Sequence, residues 1–133
     1  MGLSLQFDEG RAHRIEAGAD MLIMPSRYEP CGLTQLYSLR YGTIPIVRRT
    51  GGLADTVVPY RPSTALAGEA TGFHFAEASA DSLLSTTLLA LKVYADRGVW
   101  RSIQQAAMAV DCSWERSARR YVEVFRGIQV EKA

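Results

Sequence analysis

Apolar residues along the chain fall into short unbroken runs separated by stretches of helical spacing, and the two patterns alternate. Leu3-Ser4-Leu5-Gln6-Phe7 alternates apolar with polar and predicts a strand. Asp8 or Glu9 is placed to cap a helix that carries Ala12, Ile15 and Glu16 and stops near Gly18. Met21-Leu22-Ile23-Met24 is continuously apolar, the pattern of a strand buried on both faces of a parallel sheet. From about Gly32, Leu33, Leu36 and Leu39 recur at helical spacing, and Gly42 sits where that helix ends. Thr43-Ile44-Pro45-Ile46-Val47 predicts a further strand, with Pro45 favouring an edge or a strand end. Thr50-Gly51-Gly52 is a turn into a short helix that reaches Val57. Two prolines and many small residues over 59–71 predict a surface loop, and Gly72-Phe73-His74-Phe75 a last strand. Helices follow over about 79–96, 99–110 and 114–126. Leu83, Leu84, Leu88 and Leu91 stripe the first of these, Ser113 is placed to cap the last, and Trp100 and Trp114 read as core anchors.

Strands alternating with helices predict an α/β fold, a short parallel sheet with crossover helices and additional C-terminal helices. Only three or four strands are present, about half of a doubly wound nucleotide-binding domain. The strand bordering the missing half is then an exposed parallel edge, through which a homo-oligomer could pair. Composition adds limits. At 133 residues, 47% hydrophobic and 22% charged, the chain has the make-up of one globular domain. A net charge of +1 argues against nucleic acid or an anionic membrane as its main partner. No apolar run approaches the roughly 18–20 residues of a membrane span. Cys31 and Cys112 stand in unlike contexts and suggest neither a metal site nor a disulfide framework. Nothing calls for a cofactor, and a reduced cytoplasmic setting is expected. The opening Met1-Gly2-Leu3-Ser4 reads as a cut or engineered start.

Candidate chemistry concentrates in Pro25-Ser26-Arg27-Tyr28-Glu29-Pro30-Cys31-Gly32-Leu33-Thr34, between a strand and a helix. Ligands of open α/β sheets sit outside the carboxyl ends of the strands, which is where this stretch falls. Backbone N–H groups of Gly32, Leu33 and Thr34 would be unpaired at the helix opening and suited to an anion. On residues alone, Glu29 reads equally as a hydroxyl-binding carboxylate or as a charge complementing the helix N-terminus. His13 and His74 read as structural, Cys31 as a small, partly buried thiol rather than a nucleophile, and Arg48 and Arg49 as a solvated pair rather than as phosphate-attracting cations.

Ala19 to Tyr37 closely resembles bacterial glycogen synthases and plastid starch synthases. So do Tyr41-Gly42-Thr43-Ile44-Pro45-Ile46-Val47, Arg49-Thr50-Gly51-Gly52-Leu53-Ala54-Asp55-Thr56-Val57 and Asp111-Cys112-Ser113-Trp114. The resemblance implies a retaining glycosyltransferase of the two-domain GT-B type, moving glucose from ADP-glucose to the non-reducing end of an α-1,4-glucan. It implies that residues 1–133 are the C-terminal part of the nucleotide-sugar-binding domain, the second half of a Rossmann-like fold. Glu29 matches the glutamate that binds the donor glucose and is the candidate catalytic residue. Cys31, Gly32, Leu33 and Thr34 match the segment that holds the donor phosphates. Phe7 stands where the family often has a tyrosine against adenine, although an ordinary core phenylalanine reads the position as well. Related transferases carry a second glutamate where this chain has Tyr37, which leaves ribose recognition open. The family's phosphate-neutralising cations and its acceptor domain precede this stretch, so the fragment alone is expected to be inactive. Two other readings stand beside this one: a non-catalytic module associating through its sheet edge, and a related retaining transferase using another nucleotide sugar. A bacterial cytoplasm, or a plastid for a plant protein, is the implied location.

Overall fold

The computed structural model describes residues 2, 3, 5, 6 and 8–130, the last two by backbone alone. Phe7 and Ser4 lie outside the described residues. Leu3, Leu5 and Gln6 form no strand, and both leucines are exposed, so the strand expected at the start is not found there.

Helix α1 (Glu9–Gly18) is capped by Asp8, whose carboxylate accepts a hydrogen bond from Arg11 N–H at 2.8 Å. Strand β1 (Met21–Met24), helix α2 (Thr34–Tyr41), strand β2 (Ile44–Arg48) and helix α3 (Gly51–Thr56) follow. Then come α4 (Pro62–Leu66), β3 (Phe73–Phe75), α5 (Ala80–Ala95), α6 (Arg97–Met108) and α7 (Trp114–Val130). The three strands form one parallel sheet in the order β1-β2-β3, with Met21 beside Ile44 and Ile46 beside Phe73.

Central β2 is covered on both faces, which explains its unbroken apolar run. Ile44 and Ile46 join Phe73 and Phe75 in a core closed by Leu39 of α2, Ala90 and Val93 of α5, and Trp100, Ile103 and Ala107 of α6. Val47 faces the other way, onto Leu53 and Val57 at α3. Pro45 is tolerated in this central strand because it is the second residue, one position before the β3 register begins. Edge strand β1 is only half-covered, with Ile23 46% exposed, rather than buried on both faces. Buried Thr43 fixes the start of β2, its hydroxyl donating to the carbonyls of Glu16 and Ala19 at the end of α1.

Several expectations from spacing need correction. The segment 59–71 is more than a surface loop. It holds the single turn α4, its Thr64 hydroxyl donates to Pro59 O at 2.9 Å, and Ala70 and Thr71 are buried. Trp100 is a core anchor, 2% exposed and packed against Phe73 and Tyr94. Trp114 is not: it is 88% exposed, on a helix whose apolar residues Tyr121, Val124 and Phe125 are also exposed. Ser113 does cap that helix, accepting from Arg116 N–H at 3.3 Å.

His74 on β3 is partly buried, and its Nε2 has no hydrogen-bond partner among the described residues. Burial holds its pKa below the ordinary value near 6.5, and the positive charges of Arg49 and Arg61 add to the depression, against a smaller opposing effect of the Val57 backbone. The folded chain therefore binds fewer protons at this site than the unfolded chain. This contribution to stability is intact above pH of about 6.5 and is lost as the pH falls toward the folded pKa. Thermal unfolding between pH 7.5 and 5 is expected to show a decline below the one-proton ceiling of about 1.4 kcal/mol per pH unit. In His74→Gln that part of the decline disappears; an unchanged slope would assign it to other groups.

Candidate functional site

Strands β1 and β2 are parallel, so the loops that leave their carboxyl ends emerge side by side. The loop 25–33 after β1 lies against the start of α3 after β2. Gly52 N–H donates to Glu29 O at 3.0 Å. A Cβ on Gly52 would strike the Cys31 carbonyl oxygen and stand 2.6 Å from Cys31 Cα. One on Gly51 would strike Glu29 O and come within 2.9 Å of its carbonyl carbon. The pair of glycines is therefore the floor on which the loop rests, and a side chain at either would lift it.

Three side chains fasten the loop. Arg48, at the end of β2, donates through Nη1 to the carbonyls of Arg27 and Ser26. It is half-buried in this role rather than part of a solvated pair, whereas Arg49 is exposed. Ser26 donates from its hydroxyl to Glu29 Oε2 at 3.3 Å, which orients the carboxylate. Fully buried Gln35 donates through Nε2 to Cys31 O at 2.9 Å, Gly32 O at 3.0 Å and Thr56 Oγ1 at 3.2 Å. The Thr56 hydroxyl passes the chain of bonds on to Gly52 O at 2.6 Å.

This arrangement brings Glu29, Cys31, Gly32, Leu33 and Thr34 into one continuous turn at the carboxyl end of β1. Glu29 is partly buried; Cys31 is exposed, not partly buried as expected for a small thiol; Leu33 and Thr34 are exposed. Gly32 has φ +74°, a left-handed conformation that favours glycine. The N–H groups of Gly32, Leu33 and Thr34 donate to no group among the described residues. Helix α2 starts at Thr34, two residues later than spacing suggested. The turn thus offers a carboxylate acceptor beside a set of open backbone donors, a combination suited to sugar hydroxyls next to an anion. Phe7 lies outside the described residues. Among the described residues, no group of three His, Cys, Asp or Glu could hold a metal ion, and no helix is long and apolar enough to cross a membrane. The sequence points to no role for Gln35 or Ser26, and to Arg48 only as a member of a surface pair, not as a fastener of this loop. The available signal for Gln35 was a polar residue on the inward face of α2, three positions after Gly32.

Comparison with known proteins gives the family of the chain. The profile of glycosyl transferases group 1 matches residues 6–102. Glycogen synthase of Thioalkalivibrio sulfidiphilus is 51% identical over 128 residues, covering 96% of this chain and 26% of that protein. Glycogen synthase of Anaeromyxobacter dehalogenans is 57% identical over 120 residues, covering 90% of this chain and 24% of that protein. The chain thus spans about a quarter of the length of these curated relatives. Among solved structures, the catalytic domain of starch synthase IV from Arabidopsis thaliana, bound to ADP and acarbose, superimposes with a TM-score of 0.80 at 37% identity. It covers 92% of this chain and 25% of that one. Sucrose-phosphate synthase from Thermosynechococcus elongatus gives 0.64 at 25% identity over 95% of this chain and 29% of that one. The α/β architecture, with its short parallel sheet, is that of GT-B glycosyltransferases, and the chain belongs to the glycosyl transferases group 1 family.

Proposed function

We propose that this chain is the C-terminal part of the nucleotide-sugar-binding domain of a bacterial glycogen synthase. The complete enzyme transfers glucose from ADP-glucose to the non-reducing end of an α-1,4-glucan in the cytoplasm. The observation that carries this reading is the single turn in which the Glu29 carboxylate stands beside the open N–H groups of Gly32, Leu33 and Thr34. Glu29 accepts hydrogen bonds from the donor glucose, and the amides with the Thr34 hydroxyl hold the diphosphate. The relatives named glycogen synthase, and the starch synthase solved with ADP, support the choice of donor and acceptor. A cleft closed by only one face cannot surround a leaving diphosphate, so the 133-residue chain by itself is inactive in this reading.

The test is a titration of the complete synthase, labelled at glycine and leucine nitrogens, with ADP-glucose and with UDP-glucose. The expected result is saturable movement of the Gly32 and Leu33 amide signals, with elongation of glucan from ADP-glucose in preference to UDP-glucose. Signals that stay in place, or a preference for another nucleotide sugar, would overturn the assignment.

A second reading is favoured by one feature: among the described residues β1 is hydrogen-bonded to a strand on one side only. Self-association along that edge would appear as a dimer on sizing in solution, abolished by a proline placed at Ile23.

A further inference from the structure

Gln35 carries an arrangement that the assignment of donor-binding groups does not use. It is 0% exposed, yet only its nitrogen is satisfied, by three oxygens. Its Oε1 is buried with no partner among the described residues. The amide cannot be turned over to relieve this, because a reversed amide would set Oε1 against two carbonyl oxygens. The oxygen lies directly beneath Gly32, where a Cβ would strike it and come within 2.9 Å of Nε2. A buried acceptor without a partner costs on the order of 1–3 kcal/mol, so an apolar residue of the same shape would avoid a real penalty here. The fold bears that penalty for something the nitrogen does.

What the nitrogen does follows from peptide geometry. In a trans peptide unit the C=O and the following N–H point in opposite directions, and no cis bond is present among the described residues. Gln35 draws the carbonyls of Cys31 and Gly32 inward, toward the core. The N–H groups of Gly32 and Leu33 are the other ends of those same two peptide units, so they are turned outward. The third bond, to Thr56, ties this strut to α3, which also supports the Glu29 loop through Gly52.

We infer that Gln35 is a positioning residue for anion recognition, aiming the two amides of the turn at the ligand diphosphate from beneath without touching it. This rests on the reading of the turn as the diphosphate-binding segment. The strut fixes the peptide planes before ligand arrives, so their orientation does not have to be gained on binding.

Binding of ADP and of adenosine to the complete synthase separates this role from general support of the fold. Gln35→Met keeps length and burial and removes both donors. It is expected to weaken ADP about tenfold while adenosine, which has no phosphate, stays within twofold of the parent. Gln35→Glu adds a pH signature. Its buried carboxyl donates one hydrogen bond when protonated and none when ionised, so its deficit for ADP relative to the parent at the same pH deepens as pH rises. Gln35→Met shows no such trend. Equal ADP affinity in parent and Gln35→Met would overturn the inference, as would equal losses for ADP and adenosine. Should Gln35→Met not fold, the pH trend in Gln35→Glu decides, and a flat deficit there overturns it. The underlying reading fails separately, if the Gly32 and Leu33 amides of the parent do not respond to ADP.

Discussion

Glu29→Ala in the complete synthase is expected to slow glucose transfer about 10²–10⁴-fold while ADP binding stays within threefold of the parent. The size follows from the number and kind of bonds removed. An ionised carboxylate that accepts from two sugar hydroxyls contributes about 1.5–3 kcal/mol per bond, and two such bonds amount to this range. The split between transfer and ADP affinity follows from the geometry. Glu29 meets the turn through its backbone, since Glu29 O accepts from Gly52 N–H, and among the described residues the side chain is held only by Ser26 at 3.3 Å. Truncation therefore leaves the floor of the turn and its amides in place. Glu29→Gln, which keeps the shape and one acceptor, is expected to recover part of the rate. Steady-state kinetics with ADP inhibition constants checks both halves. Transfer by Glu29→Ala within threefold of the parent would reduce the carboxylate to a partner of the α2 N-terminus.

Gly52→Ala should be nearly as damaging for a different reason. The three atoms nearest its new methyl group are all backbone of Cys31: the carbonyl oxygen, Cα at 2.6 Å and the carbonyl carbon at 2.7 Å. Backbone cannot swing aside as a flexible side chain would, so the 29–31 loop must lift by about an ångström. A displacement of that size at a reacting centre costs on the order of 10²-fold in rate. Here the loss falls on ADP affinity as well, because the carboxylate and the amides ride on the same loop. Gly10→Ala, where the nearest atom to a new Cβ is the Asp8 carboxylate at 3.6 Å, is the matched control and should be close to neutral. Parent-like ADP affinity in Gly52→Ala would mean that the loop has room the structure does not show.

What could be read from the sequence was what short-range physics decides. The Asp8 and Ser113 caps, the left-handed stop of α2 at Gly42 and the apolar runs of β1 and β2 are settled by a few neighbouring residues, and all are present. The turn 29–34 was legible for the same reason, since its residues are consecutive. Its long-range supports were not legible, because they reach across about twenty positions. Arg48 bonds to Arg27, Gln35 to Thr56, and Gly52 lies under Cys31. Spacing identifies Gly51-Gly52 as a turn but not as a floor for a loop twenty residues earlier. Trp114 failed for a related reason. A tryptophan at the head of an amphipathic helix looks like a core residue, but its exposure is set by what packs there, and the described residues place nothing over it.

The turn is held from the carbonyl side, while Cys31, Leu33 and Thr34 project outward and are exposed. Grip and identity are thereby assigned to different atoms. The amides that would meet a phosphate belong to the backbone and are the same whatever side chains flank Gly32. Exchanges at Cys31 or Leu33 can accordingly alter what lies around the anion without disturbing how the anion is held. On the proposed function, a lineage could retune its sugar or base preference one surface residue at a time, passing through intermediates that keep the phosphate grip. Drift at the rim is cheap here, and change at Gln35, Gly51 or Gly52 is not.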